Sequence, residues 1–445
     1  MILTPLLKRS AKGLSWKSLC FFSSTTSRRE IRDVAELPER LHPEYHDTKH
    51  LELLCLHWPC PPRNVLITKK NSDPSITKSL VELAHHIHTT YPHVNLILEP
   101  HAAEEVHEQL CFPVYSSPTP RHEAPPVLRN KVDLIATLGG DGTILHASSL
   151  FATAKRVPPI LSFSMGTLGF LGEWKFKEYK RAFREVYMSG AGVRYGSSLF
   201  EEDQPAAPCP DAPKESIAKD PCDSSAHIHP STPMGWSSIR GMSMGNGRGA
   251  RILLRNRLKV QIVSPSSRNP PPPIHAMNEV ILHRGADPHL AIVEVFVGGR
   301  FLTEAVADGI IVSTPTGSTA YSLSSGGSIV HPLVSSLLLT PVCPRSLSFR
   351  PLVLPANTPI TLRLSEKNRG REVDVSIDGV KSSVAVGVGM EVRVWGEDIR
   401  NREGVWCGGV PSIVRGRENG AGGEDHWVGG LNGLLKFNYP FGEET

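Results

Sequence analysis

The sequence predicts two domains of different class, an N-terminal α/β domain with a parallel sheet covered by helices and a C-terminal domain that is mostly β. Two observations carry this expectation. The first part of the chain alternates strand-like and helix-like segments, and beyond a proline-rich stretch the hydrophobic period falls to 2. The length of 445 residues agrees, since one compact domain usually takes ~100–200 residues.

Val65-Leu66-Ile67 reads as a short buried strand, and 75–91 has helical spacing with Ile76, Leu80, Leu83, Ala84 and Ile87 on one face. Strand character returns at 94–98 and again at 132–138. A glycine cluster follows, then a helix-like stretch ending near Ala154, a strand at 158–163 and an amphipathic helix at 176–188. Between about 197 and 249 the periodicity disappears. Pro205, Pro208, Pro210, Pro213, Pro221, Pro230 and Pro233 stand there among Ser, Asp and Gly, so this stretch reads as a disordered insertion. A second break at 264–273 ends in four consecutive prolines and predicts an extended loop. Alternation is clean at 257–262, and 291–297, 361–364, 373–377 and 390–395 are strand-like runs between turns. The expected divisions are a leader over 1–45, the α/β domain over 60–195, the insertion over 196–249, the β domain over 250–410 and a closing segment over 411–445. A cleft between two such domains is a natural place for a ligand.

The 48 basic and 44 acidic residues leave a net charge of only +4, which gives no chain-wide reason to bind nucleic acid or an anionic membrane. The excess is local. Residues 1–29 hold six basic residues and no acidic one, so the remainder carries −2. That stretch is also rich in serine, and its longest apolar run is Leu19-Cys20-Phe21-Phe22. This is the composition of a mitochondrial transit peptide, so residence in the mitochondrial matrix is expected. No later run of 18 apolar residues predicts a spanning helix. The eight cysteines include no C-x-x-C pair and are expected mostly reduced and unlinked. The 19 histidines include no H-E-x-x-H, and His85, His86 and His88 read as surface residues.

Gly139-Gly140-Asp141-Gly142-Thr143 directly follows the strand at 132–138. Glycines at the carboxyl end of a parallel strand let backbone N–H groups approach phosphate oxygens, and the following helix adds its positive end. A carboxylate inside a phosphate site needs its own reason. Asp141 either accepts a proton from an attacking hydroxyl or helps hold a divalent metal; the plainer alternative is a tight turn in which Asp141 caps the helix. No P-loop occurs.

The run 308–327 passes from a buried strand into a loop in which Ser313, Thr314, Thr316, Ser318 and Thr319 are all hydroxyl residues. That surplus of small donors suits a polyoxygenated ligand such as a nucleotide, with Tyr321 available to lie against a flat base. Asn278-Glu279 could bracket a pair of ribose hydroxyls. Ser376-Ile377-Asp378-Gly379 is by itself a hairpin turn.

Taken together, these motifs resemble the NAD kinase family: G-G-D-G-T at 139–143, N-E at 278–279, the D-G-x-x-x-S-T-P-T-G-S-T-A-Y-x-x-S-x-G-G run at 308–327, and D-G at 378–379. The likeness spans roughly 60–190 and 250–440, and the basic leader and the Trp427-to-Phe441 tail look most like fungal mitochondrial NADH kinases. It implies transfer of the γ-phosphoryl group of ATP, with Mg2+, to the 2′-hydroxyl of the adenosine ribose of NAD or NADH. Asp141 would be the proton acceptor, with Gly140, Gly142 and Thr143 beside it. Asn278 and Glu279 would hold ribose and base, and Asp308, Thr319, Ala320, Tyr321, Ser322, Leu323 and Ser324 the rest of the dinucleotide. No residue is assigned to a protein metal site. A homo-oligomer is implied, because the family usually builds this site across a subunit contact, and the segment 411–445 would pack back on the α/β domain. His146, Val380 and Thr167 depart from the usual pattern. Lipid kinases of the diacylglycerol and sphingosine type share the G-G-D-G loop and are the rival enzyme; a non-catalytic NAD-binding regulator is the rival from another class.

Overall fold

The computed structural model describes residues 30–48, 51–70, 73–117, 126–166, 169–190, 249–265, 267, 269–402, 405–415 and the single positions 427, 431 and 435. The basic leader to residue 29, nearly all of the proline-rich insertion and most of the closing segment lie outside the described residues.

A parallel sheet forms the centre of the first domain. Its strands run in the order Ile31–Asp33, Val114–Ser116, Asn95–Leu98, Asn64–Lys69, Leu134–Gly139, Ile160–Ser164, Val410–Val414, and every neighbouring pair in that series is parallel. Arg251–Arg255, Leu51–His57 and Glu44–Thr48 extend it as antiparallel strands. Both faces are covered, as a parallel sheet requires. Val65 and Ile67 face one core with the helix Pro74–Thr90, while Leu66 faces the other with Ile144 and Ala147. The Pro74–Thr90 helix starts where expected: the Asp73 side chain accepts the Ser75 N–H, Pro74 needs no donor, and Ile76, Leu80, Leu83, Ala84 and Ile87 are all buried.

Two sequence boundaries look different in three dimensions. Ile31–Asp33, drawn into the leader, and Glu44–Thr48, which begins inside it, already pair in this sheet. Arg251–Arg255, drawn at the start of the β domain, pairs there with Val410–Val414, which apart from Val410 was drawn in the closing segment. Cys343 and Cys407 are free thiols, whereas Cys60 is disulfide-bonded.

The second domain packs two antiparallel sheets around one core. One holds Ile274–Ala276, Leu258–Val263, Glu391–Gly396, Ile360–Leu364, Ala291–Val297 and Arg300–Ala307. The other holds Leu352–Pro355, Ser336–Val342, Gly309–Ser313, Glu279–His283, Glu372–Ile377 and Val380–Lys381. Val260, Val293 and Leu362 of the first sheet meet Val280, Val312 and Val375 of the second in a shared apolar cluster, the inward half of each alternating strand.

The domains are joined by buried polar bonds as well as by the chain. Arg257, only 1% exposed, pairs through Nη2 with Glu397 Oε1 at 2.7 Å and donates to the carbonyls of Phe151 and Ala154, at the end of the helical stretch that begins with Asp141. His275 Nδ1 bonds the carbonyl of Ala152 between them. Met277 of the β domain is buried in the apolar cluster of Ile144 and Ala147. Among the described residues no helix is long and apolar enough to cross a membrane.

Candidate active site

The helix Asp141–Ser149 begins at the carboxyl end of Leu134–Gly139, with Gly140 as its N-cap. Gly140 and Gly142 are exposed, and the Thr143 N–H closes the first turn on the carbonyl of Gly140 at 2.9 Å. Asp141 does not cap this helix. Its Oδ2 accepts the Phe170 N–H at 3.0 Å and its Oδ1 the Leu171 N–H at 3.1 Å, so the carboxylate is fixed from outside by the loop that follows Ile160–Ser164. Gly169 makes that approach possible: a Cβ there would stand 2.1 Å from Asp141 Oδ1. Behind Asp141 lies Arg255, 3% exposed, whose Nη2 is 4.0 Å from Glu173. Burial lowers its pKa, and the charges of Glu173 and Asp141 oppose that fall.

The opposite wall belongs to the β domain. Asp378 sits in the hairpin between Glu372–Ile377 and Val380–Lys381 with φ 48, followed by Gly379 with φ 77, the pair of left-handed residues that a tight hairpin needs. Its carboxylate reaches back to the neighbouring strand and accepts three backbone N–H groups: Met277 at 2.7 Å, Asn278 at 2.7 Å and Glu279 at 3.2 Å. Those bonds hold the Asn278-Glu279 dipeptide as the strand Glu279–His283 begins. Gly317 comes so close on the other side that a Cβ would stand 2.2 Å from the Asn278 carbonyl oxygen.

Asn278 is 6% and Glu279 5% exposed, yet Asn278 Oδ1 and Glu279 Oε2 are buried without a hydrogen-bond partner, as is Thr316 Oγ1. Buried acceptors of this kind are costly unless a ligand satisfies them. Burial, and next the nearby Asp378 carboxylate, push the Glu279 carboxyl up to about 8. Burial likewise raises Asp378, to about 6, against the pull of its three backbone donors.

The two walls enclose a cleft of about 240 Å³. Of the residues expected from the sequence, it brings together Asp141, Asn278, Glu279, Thr319 and Ala320. Leu145, Phe170, Leu171, Thr316, Asp378 and Gly379 complete the lining and were not named among the expected binding residues. Phe170 and Leu171 act on Asp141 through main-chain N–H groups, which leave no trace in side-chain type. The other expected residues lie off this lining. Asp308 is paired with Arg284 Nε at 2.6 Å, and Ser322 is fully buried with its hydroxyl 2.8 Å from Thr340 Oγ1. Tyr321 and Ser324 are exposed, and Leu323 is half-buried. His146, on the same helix as Asp141, pairs with Glu99 Oε1 at 2.6 Å, and that bond raises its pKa.

A carboxylate held at a helix start, facing buried acceptors across a cleft between two domains, is the equipment of a phosphotransferase that acts on a nucleotide hydroxyl. Family models carry the assignment further: residues 65–191 match the ATP-NAD kinase N-terminal domain and residues 277–397 the ATP-NAD kinase C-terminal domain. The chain belongs to the NAD kinase family, enzymes that use ATP as phosphoryl donor.

It is 36% identical to the mitochondrial NADH kinase of Schizosaccharomyces pombe, over 97% of this chain and 93% of that protein. Identity to the mitochondrial NADH kinase of Saccharomyces cerevisiae is 34%, over 93% of this chain and 89% of that one. The crystal structure of yeast NADH kinase complexed with NADH matches with a TM-score of 0.71 and 33% identity, covering 94% of this chain and 99% of that chain. The lipid-kinase alternative rested on the G-G-D-G loop alone, and the match across 277–397 overturns it.

Proposed function

We propose that this chain transfers the γ-phosphoryl group of ATP to the 2′-hydroxyl of the adenosine ribose of NADH or NAD, with Asp141 taking the hydroxyl proton. One observation carries the reading: Asp141 shares its cleft with Asn278 and Glu279, whose buried Oδ1 and Oε2 have no hydrogen-bond partner among the described residues. Ribose hydroxyls and a base amino group are the donors such oxygens accept. A ribose hydroxyl held there would be oriented before reaction, which supplies proximity as well as binding. The Phe170 and Leu171 N–H groups keep the Asp141 carboxylate from rotating, and its remaining lone pairs are free for the proton. NADH is the preferred acceptor on the strength of likeness to two NADH kinases.

The donor set fits magnesium carried on the triphosphate. Magnesium asks for one or two carboxylates beside phosphate oxygens and water. Asp378 commits its oxygens to three backbone donors, and burial beside Asp378 disfavours the charged form of Glu279, which leaves Asp141 as the cleft carboxylate that would face the ion. When bound, magnesium neutralises charge on the transferring phosphoryl group.

Tyr321, Leu323 and Ser324 lie off this chain's own cleft, which supports a homo-oligomer in which they reach a partner's dinucleotide. Likeness to mitochondrial enzymes and the basic, serine-rich residues 1–29 support import into the matrix. The deciding experiment incubates purified protein with ATP, magnesium and either NAD or NADH, and measures NADP and NADPH formed. No product from either acceptor overturns the proposal. A fusion of the first ~45 residues to a reporter tests the address; cytosolic retention counts against it.

A further inference from the structure

We propose that Glu44, His46 and His57 form a binding site for a divalent transition metal, best matched to zinc, on the outermost strand pair of the first sheet. The register of Glu44–Thr48 against Leu51–His57 creates it. Glu44 stands directly opposite His57, and His46 lies two residues along the same strand, so all three side chains share one face of the pair. Tyr45 and Leu56, opposite each other in the same register, are buried in the apolar core on the other face.

The distances are those of a coordination shell. In a tetrahedral shell with bonds of about 2.0–2.1 Å, ligand atoms stand roughly 3.3–3.4 Å apart. Glu44 Oε2 is 3.4 Å from His46 Nε2 and 3.9 Å from His57 Nδ1, and one ligand atom from each residue lies within 4.8 Å of the others. The rings of His46 and His57 meet edge to face, with centroids 5.2 Å apart. His57 Nδ1 is buried and has no hydrogen-bond partner among the described residues, so this ring nitrogen beside Glu44 is otherwise unused. Two imidazoles and one carboxylate are a donor set that zinc accepts, with the fourth position open to water. The candidate lies apart from the cleft, and none of its residues lines it. Bound zinc would tie the edge strand Glu44–Thr48 to its neighbour at the end remote from the turn, where an edge strand otherwise frays.

The test uses the full chain, stripped of metal by chelator and dialysed. Zinc alone is titrated into it by calorimetry, and cobalt(II) is titrated in parallel as a spectroscopic probe of a low-coordinate site. Wild type is expected to bind one zinc that the His46→Ala/His57→Ala variant does not, and to give intense visible cobalt bands that the variant lacks. Glu44→Gln, at an exposed position, is expected to weaken zinc at least about 100-fold, since even outer partners of ligands cost about 10–100-fold. Zinc is also expected to raise the melting temperature of wild type and leave that of the double variant unmoved. Zinc binding of equal affinity and stoichiometry in wild type and the double variant overturns the proposal, as does a wild type that binds no zinc. If the double variant does not fold, Glu44→Gln decides alone: unchanged affinity overturns the site.

Discussion

Asp378 Oδ1 accepts the backbone N–H of Asn278 at 2.7 Å, across 100 residues of sequence. The same carboxylate takes the N–H groups of Met277 and Glu279, so one side chain fixes the stretch that presents two of the cleft's unpartnered oxygens. Asp378→Ala leaves three amides without an acceptor, at roughly 1–3 kcal/mol for each that stays buried. The expected outcome is a melting temperature lower by several degrees and a raised KM for the dinucleotide, read by thermal unfolding and steady-state kinetics. An unchanged KM would show that Asn278 and Glu279 do not depend on this clasp.

Asp141→Asn separates charge from shape. The asparagine amide can accept one of the two N–H groups from Phe170 and Leu171 but presents its own NH2 to the other. We expect kcat to fall by about 10²–10⁴, the range usual for loss of a general base, with dinucleotide binding retained. Near wild-type turnover would remove Asp141 from the catalytic role.

Gly169→Ala tests the placement of that carboxylate without touching it. The added methyl would overlap Asp141 Oδ1 at 2.1 Å, so the side chain must rotate or the loop must withdraw. The expected effect is on kcat more than on KM, by at least about tenfold, since small misplacements of reacting groups are costly. A variant as fast as wild type would mean that this loop moves freely during turnover.

Glu279 gives the stability a pH dependence of definite sign. Its folded-state carboxyl is raised from 4.5 to about 8, so between those values the folded chain binds more protons than the unfolded chain. The contribution is fully present below pH 4.5 and is lost as pH rises through about 8. Asp378 acts in the same direction between 3.8 and about 6. Glu279→Gln has nothing to deprotonate, so its melting temperature relative to wild type is expected to climb from pH 6 to pH 8. A constant difference across that interval would show that Glu279 ionises freely in the folded protein.

The parts of this molecule that were legible in the sequence are those written in local pattern. The helix at Pro74–Thr90 announced itself through one apolar face, and Asp141, Asn278 and Glu279 through short motifs. Long-range partnerships were not legible. Asp378 read as a turn residue because its three acceptor bonds cross about 100 residues, and Asp-Gly is a sufficient hairpin signal on its own. Nor does hydroxyl-rich composition say which way a short helix faces: Tyr321 is 39% exposed and lies off this chain's own cleft. The hairpin of Glu44–Thr48 and Leu51–His57 went unnoticed, since Glu44–Thr48 offers one apolar residue and Leu51–His57 is a short apolar run whose period does not separate strand from helix.

The strand Val410–Val414 carries a consequence for how the chain is made. It sits between Ile160–Ser164 and Arg251–Arg255, in the interior of the first sheet, yet it is synthesised after the whole β domain. A ribosome that has released residue 190 has therefore delivered a sheet with a gap beside Ile160, and an amino-terminal half that cannot close until some 220 further residues have emerged. Premature termination just before Val410 would spare every residue of the cleft and still leave Arg255 without the strand it pairs with, its guanidinium stripped of Ser412 at the back of Asp141.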